Sequence, residues 1–174
     1  MRKQIFAIAA TAALSLILTA CGGDPATTPS SSVQPTESTA LSPLPTSYVF
    51  QVKDASISID QNMTEVLDVL GEANSYFEAA SCAFEGLDKT YTYSGFVITT
   101  RPDGDEDYVN SILLTDDSVT TAEGIYIGSS QADVLATYGQ ANVENDVIQY
   151  TLDNTTLNFI LKDGAVISIE YIPA

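Results

Sequence analysis

The residues able to do chemistry are few in kind. The chain of 174 residues has 23 Asp and Glu against six Lys and Arg, two Cys, and no His or Trp, for a net charge of −17. Without histidine there is no Ser-His-Asp triad, no Cys-His dyad and no His-ligated zinc, so acid–base work falls to carboxylates, Tyr or Lys. Asp103-Gly104-Asp105-Glu106-Asp107 sets the carboxylates of Asp103, Asp105 and Asp107 at alternate positions, the opening of a calcium loop. The match then fails, with Tyr108 at the sixth position where Gly is needed and Leu114 at the twelfth where a bidentate Glu is needed. The segment reads first as a solvated hairpin turn, with an irregular, low-affinity Ca²⁺ site as the alternative, and Asp116-Asp117 poses the same choice.

Ser-x-x-Lys, Gly-x-Ser-x-Gly, a phosphate-binding Gly loop and Cys-x-x-Cys are all absent, which removes the signatures of penicillin-binding, esterase, nucleotide and thioredoxin chemistry. A carboxylate pair that hydrolyses a wall polymer is the enzymatic alternative, though 23 acids supply such a pair by accident. The expectation is no catalytic residue and no cofactor. Cys82 lies in an apolar stretch and is expected to be a small buried hydrophobe, the alternatives being an intermolecular disulfide or a reactive thiol that Lys89 would have to activate.

The N-terminus is read as an address. Met1 to Ala20 opens with Arg2 and Lys3, continues as an apolar run from Ile5 to Leu18, and ends on small residues before Cys21. That is the layout of a signal peptide, and roughly 14 apolar positions fall short of the ~20 of a spanning helix. Leu18-Thr19-Ala20-Cys21 resembles the lipobox of bacterial lipoproteins. The resemblance implies cleavage before Cys21 and acylation of its sulfur, which places the protein on the extracytoplasmic face of the cell membrane. Several acyl chains at ~0.8 kcal/mol per buried methylene would hold it there. Loss of Arg2 and Lys3 leaves four basic residues against 23 acids, a charge of −19 that repels nucleic acid. Residues 21–47 hold five of the seven prolines and many Ser and Thr, the composition of a disordered tether with a mean reach of ~28 Å.

The remainder, residues 48–174, is read as one folded domain with an internal repeat. Ile57 to Asn74 lies over Ile125 to Asn142 without a gap at an offset of 68, with seven of 18 positions identical. Each copy predicts a short helix: a polar cap (Asn62 with Glu65, Ser130 with Asp133), one buried stripe (Met63, Val66, Leu67, Leu70; Gln131, Val134, Leu135, Tyr138), and Gly71 or Gly139 at the end. Runs of period two follow each helix, and Asp163-Gly164 and Pro102-Asp103-Gly104 mark hairpin turns. The first copy is longer by about eleven residues around Ser75 to Lys89, room for a further helix or strand. The expected fold class is α+β, two tandem repeats (about 57–117 and 125–172), each a short helix packed on an antiparallel β-meander.

The pattern Ile125-x-Ile127-Gly128-x-Ser130-x-x-Asp133-Val134-Leu135-x-x-Tyr138-Gly139, then Tyr150, Leu157-x-Phe159 and Asp163-Gly164-x-Val166-x-x-Ile169, resembles the BamE (SmpA/OmlA) lipoproteins and the tandem β-lactamase inhibitory protein fold. Ser81-Cys82-x-Phe84-x-Gly86 is similar to a segment of uncharacterised lipoproteins of Gram-positive anaerobes. The resemblance implies an α+β module that binds other proteins of the cell envelope, and it transfers no catalytic residue. The functional expectation is therefore a membrane-anchored lipoprotein whose duplicated sheet presents an acidic face to another envelope or extracellular protein. A wall-polymer hydrolase and a Ca²⁺ or small-ligand binder are the alternatives. Six tyrosines (Tyr91, Tyr93, Tyr126, Tyr138, Tyr150, Tyr171) are expected mostly in the core, any that face outward serving as interface anchors.

Overall fold

Alternation of apolar and polar residues every second position dominates the folded part, and strands are what form. The computed structural model describes residues 46–174. The signal segment, Cys21 and nearly all of the tether lie outside the described residues. A small hairpin, β1 (Phe50–Val52) and β2 (Ala55–Ile57), leads into helix α1 (Met63–Leu70). Four strands follow, β3 (Ser75–Ala80), β4 (Leu87–Tyr93), β5 (Phe96–Asp103) and β6 (Glu106–Leu114). After helix α2 (Gln131–Tyr138) come β7 (Val143–Glu144), β8 (Val147–Leu152), β9 (Thr155–Lys162) and β10 (Ala165–Pro173).

These last eight strands make one antiparallel sheet in the order β3-β4-β5-β6-β10-β9-β8-β7. The α+β tandem of helix-on-meander units expected from the sequence is thereby corrected: the described residues are 49% strand and 12% helix, and the protein is mostly β. Two physical causes are visible. β6 and β10 pair with each other through Ile112–Tyr171, Leu113–Glu170 and Leu114–Ile169, so both sets of strands share one sheet and one core. Each helix has only eight residues and fully buries two side chains (Met63, Val66) or one (Val134), too little to form a layer with its own meander.

β6 and β10 part beyond those three pairs, and the segments preceding the helices fill the gap. Asp60 N–H donates to Val109 C=O and Val109 N–H to Gln61 C=O, both at 2.9 Å. Gly128 N–H donates to Val166 C=O at 2.8 Å and Val166 N–H to Ser129 C=O at 2.9 Å. The offset of 68 thus marks the helices and their approaches. Tyr93 donates its hydroxyl proton to Gly71 C=O at 3.1 Å and Tyr150 to Gly139 C=O at 2.6 Å, satisfying a carbonyl left open where each helix ends.

The helix starts differ. Asn62 accepts from Thr64 N–H at 2.9 Å, and the expected partnership with Glu65 is not made. At α2 the capping box is complete: Ser130 Oγ accepts from Asp133 N–H and Asp133 Oδ2 from Ser130 N–H, both at 3.1 Å. Hydrogen bonds from the Ser130 side chain and backbone hold the Asp133 carboxyl below its usual pKa. A carboxylate depressed in the folded state stabilises it above the unfolded pKa, and that contribution is lost as pH falls through the folded value. Ser130→Ala is therefore expected to cost about 1 kcal/mol near neutral pH and to flatten the acid limb of a stability–pH profile measured by urea unfolding.

One face of the sheet carries the core: Ile98, Ile112, Leu114, Ile148, Leu157, Phe159, Ile169 and Tyr171, with Phe50, Ile57, Met63, Val66 and Val134 packed over them. Within it the Tyr171 hydroxyl has no hydrogen-bond partner among the described residues, although the residue is 1% exposed. A buried unpaired hydroxyl is a cost, so Tyr171→Phe is expected to raise stability by about 1 kcal/mol in the same measurement, and a loss would mean that the hydroxyl is bonded. Burial, then the charge of Glu123, raises the pKa of the Tyr171 hydroxyl. For Tyr138 burial and its bond to Glu123 do the same. A raised folded pKa gives stability that is full below the ordinary tyrosine value near 10 and lost above it, so alkaline unfolding starts there and is eased in Tyr171→Phe.

Candidate functional site

The sheet and its turns scatter the carboxylates that the sequence brings close. Asp103 ends β5 and faces Glu106 across the turn, where Gly104 has a φ of 65°. Asp103 Oδ2 lies 3.8 Å from an Arg101 nitrogen, Asp107 is ion-paired with Lys89, and Glu106 accepts the Tyr108 hydroxyl at 2.6 Å. Asp105 stands exposed at the tip. Asp103, Asp105 and Asp107 therefore do not converge. Among the described residues no group of three or more Asp, Glu, Cys or His is placed to hold a metal ion.

Other acids are acceptors for neighbouring hydroxyls. Glu123 takes the Tyr138 hydroxyl, Glu78 that of Tyr76, and Asp116 that of Ser118. Hydrogen bonds from Ser118 hold Asp116 below the usual carboxylate range, as those from Ser130 hold Asp133. That direction is opposite to the one a general acid requires.

Cys82 is exposed, which corrects the buried position expected for it. The cause is its place in the fold: it sits in the loop 81–86 that continues from the edge strand β3, all six of whose residues are exposed, so this end of the sheet offers it no core to enter. Of the six tyrosines, Tyr91 and Tyr171 are buried, Tyr93, Tyr138 and Tyr150 are half-buried against the core, and Tyr126 is exposed.

The second face of the sheet is the larger feature. Register places Val97, Thr99 and Arg101 of β5, Ser111 and Leu113 of β6, Glu170 and Ser168 of β10, and Asn158 and Ile160 of β9 opposite the core residues. None of these is buried, and no helix among the described residues covers them. Thr99 bonds Ser111 at 2.7 Å and Gln149 bonds Asn158 at 2.9 Å across this face. Eight strands at about 4.8 Å spacing make it roughly 34 Å wide between its edge strands. Its central charges are Arg101 and Glu170, so the acidic face expected from the composition is not the face of the sheet. The acids crowd the turns instead, at Asp54, Asp60, Asp103, Asp105, Asp146, Asp153 and Asp163.

Two groupings had no signal in the sequence. The Arg101 guanidinium lies 5.9 Å from the Phe84 ring and 5.4 Å from the Tyr108 ring and bonds Asp60 at 3.0 Å. A cleft of about 380 Å³ is lined by Leu67, Glu72, Ala73, Tyr76 and Tyr91 at the outer end of the sheet. Both join residues distant in sequence, and only the strand register brings them together. Among the described residues no helix is long and apolar enough to cross a membrane. Compared with known protein families, characterised proteins and solved structures, the chain matches none.

Proposed function

We propose that the chain is a lipoprotein held on the extracytoplasmic face of the cell membrane through Cys21, and that its folded part is a protein-binding module of the envelope. The signal pattern and the Leu18-Thr19-Ala20-Cys21 sequence support the anchor. The observation that carries the binding role is the one-sided sheet: a broad face of Val, Leu, Ile, Thr, Ser and Asn, half-exposed, with few charges at its centre. Interface centres are depleted of charge in this way, while their rims are polar. The acidic turns around the face would set orientation and encounter rate more than affinity.

The test uses the full chain in a bacterial envelope, with a photo-cross-linking residue at Val97 or Leu113 on the open face or at Asp68 on α1. Discrete adducts from the first two positions and none from the third are expected. Labelled palmitate should enter the wild type and not Cys21→Ala. Absence of adducts from every open-face position overturns the open face as the binding surface, and absence of label from the wild type overturns the anchor.

A further inference from the structure

The two edges of the sheet are unlike. β7 has two residues and turns back at once through Asn145 and Asp146, both at positive φ, a short edge of the kind that resists pairing. β3 has six, Ser75-Tyr-Phe-Glu-Ala-Ala80, every one exposed, in unbroken register with β4 and without Pro, Lys or a bulge. It belongs to the segment by which the first sequence copy exceeds the second.

The phase of its ladder is set by Ser81 N–H, which donates to Gly86 C=O at 3.0 Å one step beyond the Ala80–Leu87 pair. Hydrogen-bonded pairs alternate in an antiparallel ladder, so Ser75, Phe77 and Ala79 bond to β4. Tyr76, Glu78 and Ala80 then turn their N–H and C=O groups outward, with no partner among the described residues.

The cleft beside this edge has a definite chemistry. The rings of Tyr76 and Tyr91 lie 5.1 Å apart, and Glu72 stands in the same wall. Glu78 accepts the Tyr76 hydroxyl and faces Lys89 in register, but Lys89 is committed to Asp107. Two tyrosine rings and the carboxylates of Glu72 and Glu78, neither in an ion pair among the described residues, suit a Lys or Arg side chain.

The occupant has to bring that cation. A second copy of β3 contains none and would set a chain of −17 against another. The segment from Gly22 to Pro45 has no Lys or Arg either. We propose that the β3 edge takes an extended segment of a basic partner protein as an added strand. Its main chain pairs with Tyr76, Glu78 and Ala80, and a Lys or Arg lies over Tyr76 and Tyr91 between Glu72 and Glu78. This rests on reading the chain as a protein-binding module and adds a site, a mode and a partner chemistry to it.

The probe is a synthetic nine-residue peptide alternating Val and Arg, titrated into the isotopically labelled full chain in zwitterionic micelles and followed by amide exchange. Protection of the Tyr76, Glu78 and Ala80 amides by tenfold or more is expected, with at least tenfold weaker binding of a twin peptide whose outward nitrogens are methylated. Ala80→Pro removes an outward N–H and no bond to β4, so it should abolish binding with an unchanged melting temperature. Glu72→Gln with Glu78→Gln should weaken binding several-fold and reduce its salt dependence. Equal binding of the methylated twin, shifts centred on Val97 and Leu113, or protection of β3 by self-association without peptide would each overturn the proposal. The twin comparison needs no altered protein, so it decides the matter even if a variant fails to fold. A chain that gives open-face cross-links but leaves β3 unprotected loses this site and keeps the binding role. A chain that protects β3 but gives no cross-link keeps the site and loses the open face.

Discussion

Phe50→Ala is expected to lower stability by about 3–5 kcal/mol, the range for removing a fully buried aromatic ring. Phe50 is 0% exposed although it belongs to the small hairpin outside the eight-stranded sheet. Its ring lies 5.0 Å from Phe96 on β5 and 6.1 Å from Tyr171 on β10. Those strands flank β6, and β6 meets β10 through only three residue pairs. The ring thus spans the seam where the two long strands β6 and β10 share only three backbone pairs, and the cavity left by Ala opens there, with little freedom to collapse between two strands. In thermal and denaturant unfolding followed by circular dichroism, the midpoint should fall by about 10 °C or more in one transition with an unchanged denaturant slope. Two separate transitions would mean that the strands on either side of the seam unfold as independent units, contrary to a single shared core. Tyr126→Ala, at a residue 45% exposed, is the control and should change stability by less than about 0.5 kcal/mol.

What the residues revealed in advance was local. The helices stand where Met63, Val66 and Leu67, and Val134 and Leu135, place an apolar stripe between a polar cap and a glycine, because cap, stripe and stop are all written within ten residues. The Asp163-Gly164 turn was legible for the same reason: both residues take positive φ, 53° and 78°, which Asp and Gly tolerate. The joining of β6 to β10 was not, since Ile112 and Tyr171 are 59 residues apart and no pattern along the chain states which strand an apolar edge will meet. Reading the repeat as two helix-on-meander units therefore overstated the helices and missed the one sheet. Cys82 was misplaced because the apolar stretch with Ala83 and Phe84 suggested burial, whereas the loop that holds it hangs from the edge strand β3, all of whose residues are exposed. Asp103, Asp105 and Asp107 looked like a loop with one purpose, but the chain reverses between them, leaving Asp103 at the end of β5, Asp105 at the tip of the turn and Asp107 on β6, with Arg101, solvent and Lys89 as their separate neighbours. The β3 edge and its cleft depend wholly on such long-range register, so nothing in the spacing of Glu72, Tyr76, Glu78 and Tyr91 announced them.

A second large effect is expected at the turn between β4 and β5. Gly95 has a φ of 86°, and a Cβ there would lie 2.5 Å from Ser118 Oγ and 3.1 Å from both Asp116 Oδ1 and Val119 Cγ1. Ser118 cannot swing away freely, because its N–H and its hydroxyl both donate to Asp116 Oδ1, the former at 2.8 Å. The Gly95 carbonyl also accepts Thr115 N–H at 2.8 Å, which pins the turn to the chain leaving β6. Gly95→Ala is thus strained in its backbone and overpacked, for an expected loss of about 2–4 kcal/mol in urea unfolding. Gly104→Ala separates the two causes: its φ is 65°, yet none of the described residues lies within 4 Å of the added carbon, so only the backbone cost of about 1 kcal/mol remains. Equal losses at the two sites would show that backbone conformation alone decides and that the Ser118 contact yields without cost. The pH profile carries a further readout. Asp116 is held below its usual pKa by Ser118, so its contribution is present above the unfolded carboxylate pKa and lost as pH falls through the folded one. If the methyl group added by Gly95→Ala displaces Ser118, that hold is released, and the Gly95→Ala protein should lose less stability than the wild type between neutral and acid pH, while Gly104→Ala keeps the wild-type slope.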